Sequence, residues 1–518
     1  MMRTIALLIS LISLVLNEPD AFGQWCSGLL IPDRSVFNDG TYNGDIIVGV
    51  GYSNEVDSLG KWAHIAAFDT SGQVLWQRRF KMLPLGSIED NYFTTATALP
   101  NGDFLAAMGT GTIGSAITSL FVFNQNGDTT FFKTYNIFPD EEYFNIAKVL
   151  RDGTVLVGGM GNDDVLYYGT LLWFAPNTYS LKRVVGYYFL YHTYAPIITD
   201  FVELNGKIYF VAYIMGTNKS LVMCVDTTGN IIWKKVLVSD NTLMFQLEGI
   251  TIASDGNLYV TGYRSGQNIY GSYGIVALAM DTSGNLLWYQ QYVSPSMPYI
   301  SGKGLDIYHV PLDNSLFISG SQNETKQLFL KIDLSGQIIW SKSFSYSGEI
   351  LRIFPGNNGF YLIGSTEMVN QGSVYKVDYM GNSCCTAQSP TLLQAENFPL
   401  AIVDTYIIGR VFVSTLAPFP GYPEEVSDQG QQDLCEPLKT QRVLNNKGDC
   451  EIIQHSTEIV LNCKESIDEV KIITTNGRFV WRSTPNSKKT YLPALPRNLL
   501  IIKANLKNRV WTGKLLIY

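Results

Sequence analysis

Four histidines are spread along the 518 residues, at His64, His192, His309 and His455. None has the spacing that zinc ligation or metalloprotease chemistry needs, because no H-E-x-x-H or comparable pairing occurs. A G-x-S-x-G nucleophile elbow is also absent. The Gly-rich stretch GTGTIGS (109–115) joins two strand-like runs and opens no helix, so it reads as a loop. The remaining candidates for chemistry are tyrosines and acids just ahead of strand-like runs: EDNYFTTA (89–96), DEEYFNIA (140–147), HTYAPIITD (192–200), MFQLEGI (244–250) and MPYISGKG (297–304). Tyr92, Tyr143, Tyr194 and Tyr299 offer rings that can stack on a sugar or bury a peptide side chain. Asp90, Glu142, Asp200 and Glu248 offer carboxylates, and two of them at a concave mouth would suit acid–base work on a glycosidic bond.

The elements that position these residues recur. FDTSGQVLW (68–76) returns as FNQNGDTTF, VDTTGNIIW, MDTSGNLLW, IDLSGQIIW and VDYMGNSCC, centred on Gly72, Gly127, Gly229, Gly284, Gly336 and Gly381. A degenerate copy, FAPNTYSLKRV, lies around Thr178. The period is roughly 51 residues, in the range of propeller blades. A second phrase precedes each copy, as in NGDIIVGVG (43–51), DGNLYVTG (255–262) and NGFYLIG (358–364), and it too occurs seven times. An Asn/Asp-Gly pair followed by alternating apolar residues is a hairpin signal, since both turn positions tolerate positive φ. In the other phrase the Asp can accept backbone N–H groups across a turn that Gly closes. Each repeat is therefore strand, turn, strand, loop, strand, turn, strand. Four antiparallel strands seven times over is an all-β, seven-bladed β-propeller; β-sandwiches need about 100 residues apiece and fit the period less well.

The two phrases resemble a bacterial propeller repeat of the form DGGYIVAG…KLDSSGNILW, found in secreted proteins of Bacteroidetes, over residues 36–386. The resemblance implies architecture and leaves function open. The order of a sialidase Asp-box, Ser-x-Asp-x-Gly-x-Thr-Trp, is not met. Quinoprotein dehydrogenases share the Asp-x-x-x-Gly-x-x-x-Trp signature, and the adjacent Cys384 and Cys385 bring their vicinal disulfide to mind. Those enzymes need a calcium-binding carboxylate cluster that cannot be placed here, so no cofactor and no metal is expected.

Residues 1–23 have a signal-peptide layout, with Arg3, an apolar run from Ile5 to Leu16, and Ala21-Phe22-Gly23 before the expected cleavage point. The run is short for a membrane span, and no transmembrane segment is expected elsewhere. A net charge of −8 with no basic stripe argues against nucleic acid as a partner. Seven cysteines in an exported chain permit disulfides, with Cys26, Cys384, Cys385, Cys435, Cys450 and Cys463 as candidates and Cys224 as a buried free thiol. The last repeat has a short fourth strand, NSCCTAQ. WCSGLLI, near the N-terminus, can pair there, close the ring, and set Cys26 beside Cys384 or Cys385.

After 386 the pattern stops. Residues 387–445 read as a linker partly packed on the propeller, and 446–518 as a small C-terminal β-sandwich domain. EVKIITTNGRFV (469–480), TYLPALPRNLLIIKA (490–504) and VWTGKLLIY (510–518) resemble the type A sorting domain of the type IX secretion system. Asn498-Leu499-Leu500 departs from that family's usual Gly-Ile-Tyr, and LNNKGDC replaces its Pro-Asn-Pro entry. The resemblance implies export across an outer membrane, to the medium or the cell surface, with the type IX machinery as a partner. The functional expectation is a non-enzymatic module binding a glycan or a surface protein. A hydrolase or lyase using the channel-mouth acids, and a structural surface protein, stand as alternatives.

Overall fold

The computed structural model describes residues 26–517 except 30–34, 384–393, 413–420, 434–449 and shorter segments, among them 55–60, 83–89, 190–195 and 294–301. The chain divides into two compact units, one reaching Asp433 and the other starting at Leu434.

The first unit is a seven-bladed β-propeller, as the repeats predict. Blade 1 is Ser35–Tyr42, Ile46–Asn54, Lys61–Asp69 and Val74–Met82, hydrogen-bonded in that order. Blades 2 to 7 open with the innermost strands Asn91–Ala98, Glu141–Val149, Pro196–Leu204, Thr242–Ile252, Gly302–Val310 and Gly348–Gly356. No helix occurs among the described residues, so none there is long and apolar enough to cross a membrane.

The recurring FDTSGQVLW phrase is a clasp between blades. Asp69 Oδ1 accepts the backbone N–H groups of Ser71 (2.8 Å) and Gln73 (2.9 Å), which fixes the turn locally. In blades 1, 4 and 5 the Trp then reaches the next blade's turn. Trp76 Nε1 donates to the Gln125 carbonyl at 2.7 Å, Trp233 to Thr282 at 2.9 Å and Trp288 to Leu334 at 2.8 Å. Gly284 has φ of +85°, and a Cβ there would lie 3.0 Å from the Trp233 ring. Glycine is thus required twice, for the turn and for the indole resting on it. The degenerate copy in blade 3 keeps the geometry with other chemistry: Tyr179 takes φ of +49°, and Arg183 replaces Trp by donating to the Thr228 carbonyl.

The second phrase shapes the channel. Every innermost strand carries a β-bulge midway, at Phe37/Asp39, Phe93/Thr95, Phe144/Ile146, Ile198/Asp200, Leu247/Gly249, Gly304/Asp306 and Ile350/Arg352. A bulge inserts one unpaired residue and re-aims its side chain. In blade 5 the phrase DGNLYVTG ends on Gly262, where a Cβ would lie 2.0 Å from the Gln246 carbonyl oxygen. Only glycine admits the bulged strand at that distance.

The N-terminal strand Cys26–Leu29 pairs with Gln371–Val377 and supplies the fourth strand of blade 7, closing the ring. Within residues 387–445, read from sequence as a linker partly packed on the propeller, five short strands form a belt. Gln394–Glu396, Leu400–Val403 and Ile407–Phe412 add a fifth strand to blades 5, 4 and 3, and Gly421–Glu425 adds one to blade 1. Gln431–Asp433 then pairs with Cys26–Leu29, so the closing strand is held from both sides. The belt therefore circles against the order of the blades. Exposed strand edges bond any extended backbone, which is why such short runs suffice.

In the second unit six strands between Cys450 and Ile517 join in one antiparallel sheet around the long strand Ile459–Thr474. Cys463 is disulfide-bonded and stands opposite Cys450 in the ladder. Cys224 is free and buried. Cys384, Cys385 and Cys435 lie outside the described residues.

Candidate functional site at the channel mouth

The bulges give the seven innermost strands a common register. One column, three residues before the residue that resumes pairing after each bulge, holds Val36, Tyr92, Tyr143, Ile197, Gln246, Lys303 and Glu349 on blades 1 to 7. Its neighbours Phe37, Phe93, Phe144, Ile198 and Leu247 are buried and wedge between blades. Strand alternation therefore turns the first column to the opposite face from these wedges, where Ile197 is buried against Met160. Contacts between successive blades confirm this orientation: the rings of Tyr92 and Tyr143 lie 6.3 Å apart, and Lys303 Nζ lies 3.2 Å from Glu349 Oε1. Tyr143 is 40% exposed and available to a ligand. The Tyr263 hydroxyl donates to Gln246, and the Lys303 ammonium sits 5.8 Å from the Tyr263 ring.

The bulge residues form a second column. Asn38 and Asn145 donate to the carbonyls of Phe93 (2.8 Å) and Ile198 (3.1 Å), and Thr199 donates to Leu247 (2.8 Å), each stitching its blade to the next. Glu248 holds this place in blade 5. Burial pushes its carboxyl up to about 8, with Arg352 and Lys303 pulling it down and Glu349 pushing it up. Tyr143 of blade 3 and Tyr213 of blade 4 are raised mainly by burial and further by the Glu248 charge. Glu248 thus shares its surroundings with charged and phenolic groups of blades 3, 4, 6 and 7.

Below the mouth a ring of charge closes the waist. Asp39 accepts from Arg352 Nε (2.6 Å), Thr95 Oγ1 (2.6 Å) and the Ala96 amide (3.1 Å). Asp200 pairs with Lys148 (2.5 Å) and accepts the Ile250 amide (3.0 Å). Asp306 accepts the Ile353 amide (2.8 Å), and burial pushes its carboxyl up to about 6 despite Arg352. Burial opposes the Arg352 charge, and the three aspartates hold it protonated. These residues line a cavity of about 200 Å³.

Of the four tyrosines singled out from sequence, the structure brings together Tyr92 and Tyr143; Tyr194 and Tyr299 lie outside the described residues. The four acids separate into different roles. Asp90 pairs with Lys61 at 3.3 Å. Glu142 is buried, facing away from the mouth, and accepts the amides of Ile137 and Phe138, with burial pushing it up to about 7. Asp200 belongs to the waist. Glu248 alone of the four sits in the mouth. His64 is buried and held down to about 4 by that burial, and His309 faces Asn314 at 3.0 Å. Among the described residues no group of His, Cys, Asp and Glu is arranged to hold a metal ion. Lys303, Glu349, Tyr213 and Tyr263 escaped the sequence reading because no motif marks them. Aligning the seven repeats on the bulge would have put Lys303 and Glu349 in the column of Tyr92 and Tyr143.

No protein-family model matches the chain, and no curated protein matches it in sequence. Solved structures do. The periplasmic gluconolactonase PpgL of Pseudomonas aeruginosa is 13% identical, over 72% of this chain and 100% of that one, with a TM-score of 0.43. Polysaccharide lyase Uly1 is 8% identical, over 66% and 90%, with a TM-score of 0.45. The Cps50 (Swd1) propeller domain of Myceliophteria thermophila is 11% identical, over 68% and 99%, with a TM-score of 0.41. Likeness this distant leaves the chemistry of the mouth to be argued from its own residues.

Proposed function

We propose that this chain is an exported propeller, secreted or held at the cell surface, that binds a carbohydrate at the mouth of its channel. The observation that carries the reading is the aromatic pair Tyr92–Tyr143 beside a crescent of hydrogen-bonding groups, all in columns where the repeat stops repeating. Sugar rings offer an apolar face to stack on an aromatic ring and an edge of hydroxyls to bond. Among the described residues the large apolar side chains left exposed are scattered: Leu75, Ile232, Leu287 and Ile339 sit on outer strands of four blades, and Val165 and Met215 sit singly in loops of blades 3 and 4. That dispersal disfavours a protein partner at the mouth, which would need a contiguous apolar centre.

The signal-peptide layout of residues 1–23 and the sorting-type motifs of 446–518 support export through a type IX-like system. The test of binding is a glycan array probed with the mature full-length chain, with Tyr92→Ala and Tyr143→Ala beside it. Binding that drops roughly ten-fold or more in both variants supports the reading, a loss of about 1.4 kcal/mol. Unchanged binding in the variants, or no glycan bound by the parent, refutes it. For the export role, removing residues 446–518 should leave the protein inside the outer membrane; unaltered release would refute that part.

A further inference from the structure

The mouth contains cations, yet among the described residues each is matched. Lys303 is matched by Glu349 at 3.2 Å, and Arg352 by Asp39 at 2.6 Å with Asp306 close by. Lys148, lower in the channel, is matched by Asp200 at 2.5 Å. Glu248 adds little charge at neutral pH, since its carboxyl keeps its proton to about 8. The groups that face it are Tyr143, Tyr213, Lys303, Glu349 and Arg352. It has no hydrogen-bond partner among the described residues, unlike Asn38, Asn145 and Thr199 in the same column. A partly buried carboxyl not used to join blades is available to a ligand.

Resting on the carbohydrate reading above, we propose that the mouth selects an uncharged glycan and discriminates against uronate-bearing chains. The Lys303–Glu349 pair sets a donor and an acceptor side by side, at about the spacing of two hydroxyls on adjacent ring carbons. The ammonium donates to one hydroxyl oxygen and the carboxylate accepts from the next. Glu248, as the acid, donates to a further sugar oxygen, while Tyr92 and Tyr143 take the apolar face of a ring. A uronate carboxylate placed here would meet Glu349 with no unmatched cation to receive it. Leaving a buried charge without a partner is the strongest form of rejection available to such a site.

The experiment compares two probe sets on the mature full-length chain by calorimetry. One set is neutral (xylo-, cello-, manno- and laminari-oligosaccharides); the other is acidic (oligogalacturonides and alginate oligosaccharides). The neutral set should bind at least roughly ten-fold tighter at pH 7. Its affinity should fall between pH 7 and pH 9 as Glu248 loses the proton it donates. Glu248→Gln keeps a donor and an acceptor but cannot ionise, so it should bind at pH 7 and show no such fall. Glu349→Gln frees Lys303 and should shift preference toward the acidic set. Acidic probes bound as tightly as neutral ones by the parent chain would overturn the proposal while leaving carbohydrate binding intact, and so would a pH fall that persists in Glu248→Gln. Binding of neither set would overturn the carbohydrate reading itself. Circular dichroism checks that each variant folds; should one fail to fold, the parent's neutral-against-acidic comparison decides alone.

Discussion

The outer rim and the channel mouth are built from the same seven repeats, and they treat the repeat in opposite ways. On the rim, Trp76, Trp233 and Trp288 make the same indole-to-carbonyl bond to the next turn. In the mouth, the equivalent positions run Val36, Tyr92, Tyr143, Ile197, Gln246, Lys303 and Glu349, with scarcely a residue used twice. A joint between blades repeats nearly the same geometry around the ring, so one solution can serve several times, with Arg183 standing in for Trp in blade 3. A ligand lacks that symmetry, so a site for it must differ from blade to blade. Sameness in this chain marks assembly, and difference marks the candidate for recognition.

The comparison can be broken from the rim inward. Ending the chain at residue 386 removes the belt and bares the outer edges of five blades, including the strand that closes the ring. Aggregation, or a melting temperature lower by about 10 °C or more than that of a chain ending at 433, is expected by calorimetry. Equal melting would show the belt to be ornamental. Trp76→Ala empties an interblade clasp and should destabilise by about 3–5 kcal/mol in chemical denaturation, with any bound glycan held as before. Gly284→Ala puts a side chain on a positive-φ turn and against Trp233, at about 1–3 kcal/mol.

At the waist the readout is a slope. Asp306 keeps its proton to about 6 in the folded chain, whereas an unfolded aspartate loses it near 3.9. The folded state therefore binds more protons between pH 4 and 6, and stability falls as pH rises through that window. Asp306→Asn should flatten this part of the stability profile, and an unchanged slope would contradict the assignment. The smallest effect on stability is expected in the mouth: Tyr143→Ala should stay within about 0.5 kcal/mol of the parent while glycan binding is lost. A large stability loss there would mean that Tyr143 is a structural wedge after all.

The rim was legible because every clue sat in one contiguous phrase, with turn residues, alternation and Trp at fixed offsets. The missing strand of blade 7 could be matched to WCSGLLI for the same reason, since a count of seven left one place unfilled. Glu248 was visible as an acid ahead of Gly249-Ile250. Its partners Lys303, Glu349 and Arg352 were not, because they come together through bulge register across blades. The belt was hidden for another reason. Runs such as LAIV (400–403) and GYPEE (421–425) are short, and a sheet edge asks only for extended backbone.

The double grip on Cys26–Leu29 also sets a timetable. That strand is the first of the propeller to be made, yet its two neighbours, Gln371–Val377 and Gln431–Asp433, are made some 350 to 400 residues later. At about 5–20 residues per second the earliest strand waits on the order of a minute or less with its pairing edge unfilled. Closure is then the slowest kind of contact, spanning nearly the whole unit, and it comes after blades whose contacts are local. The propeller is a circle whose first stroke is completed by nearly its last.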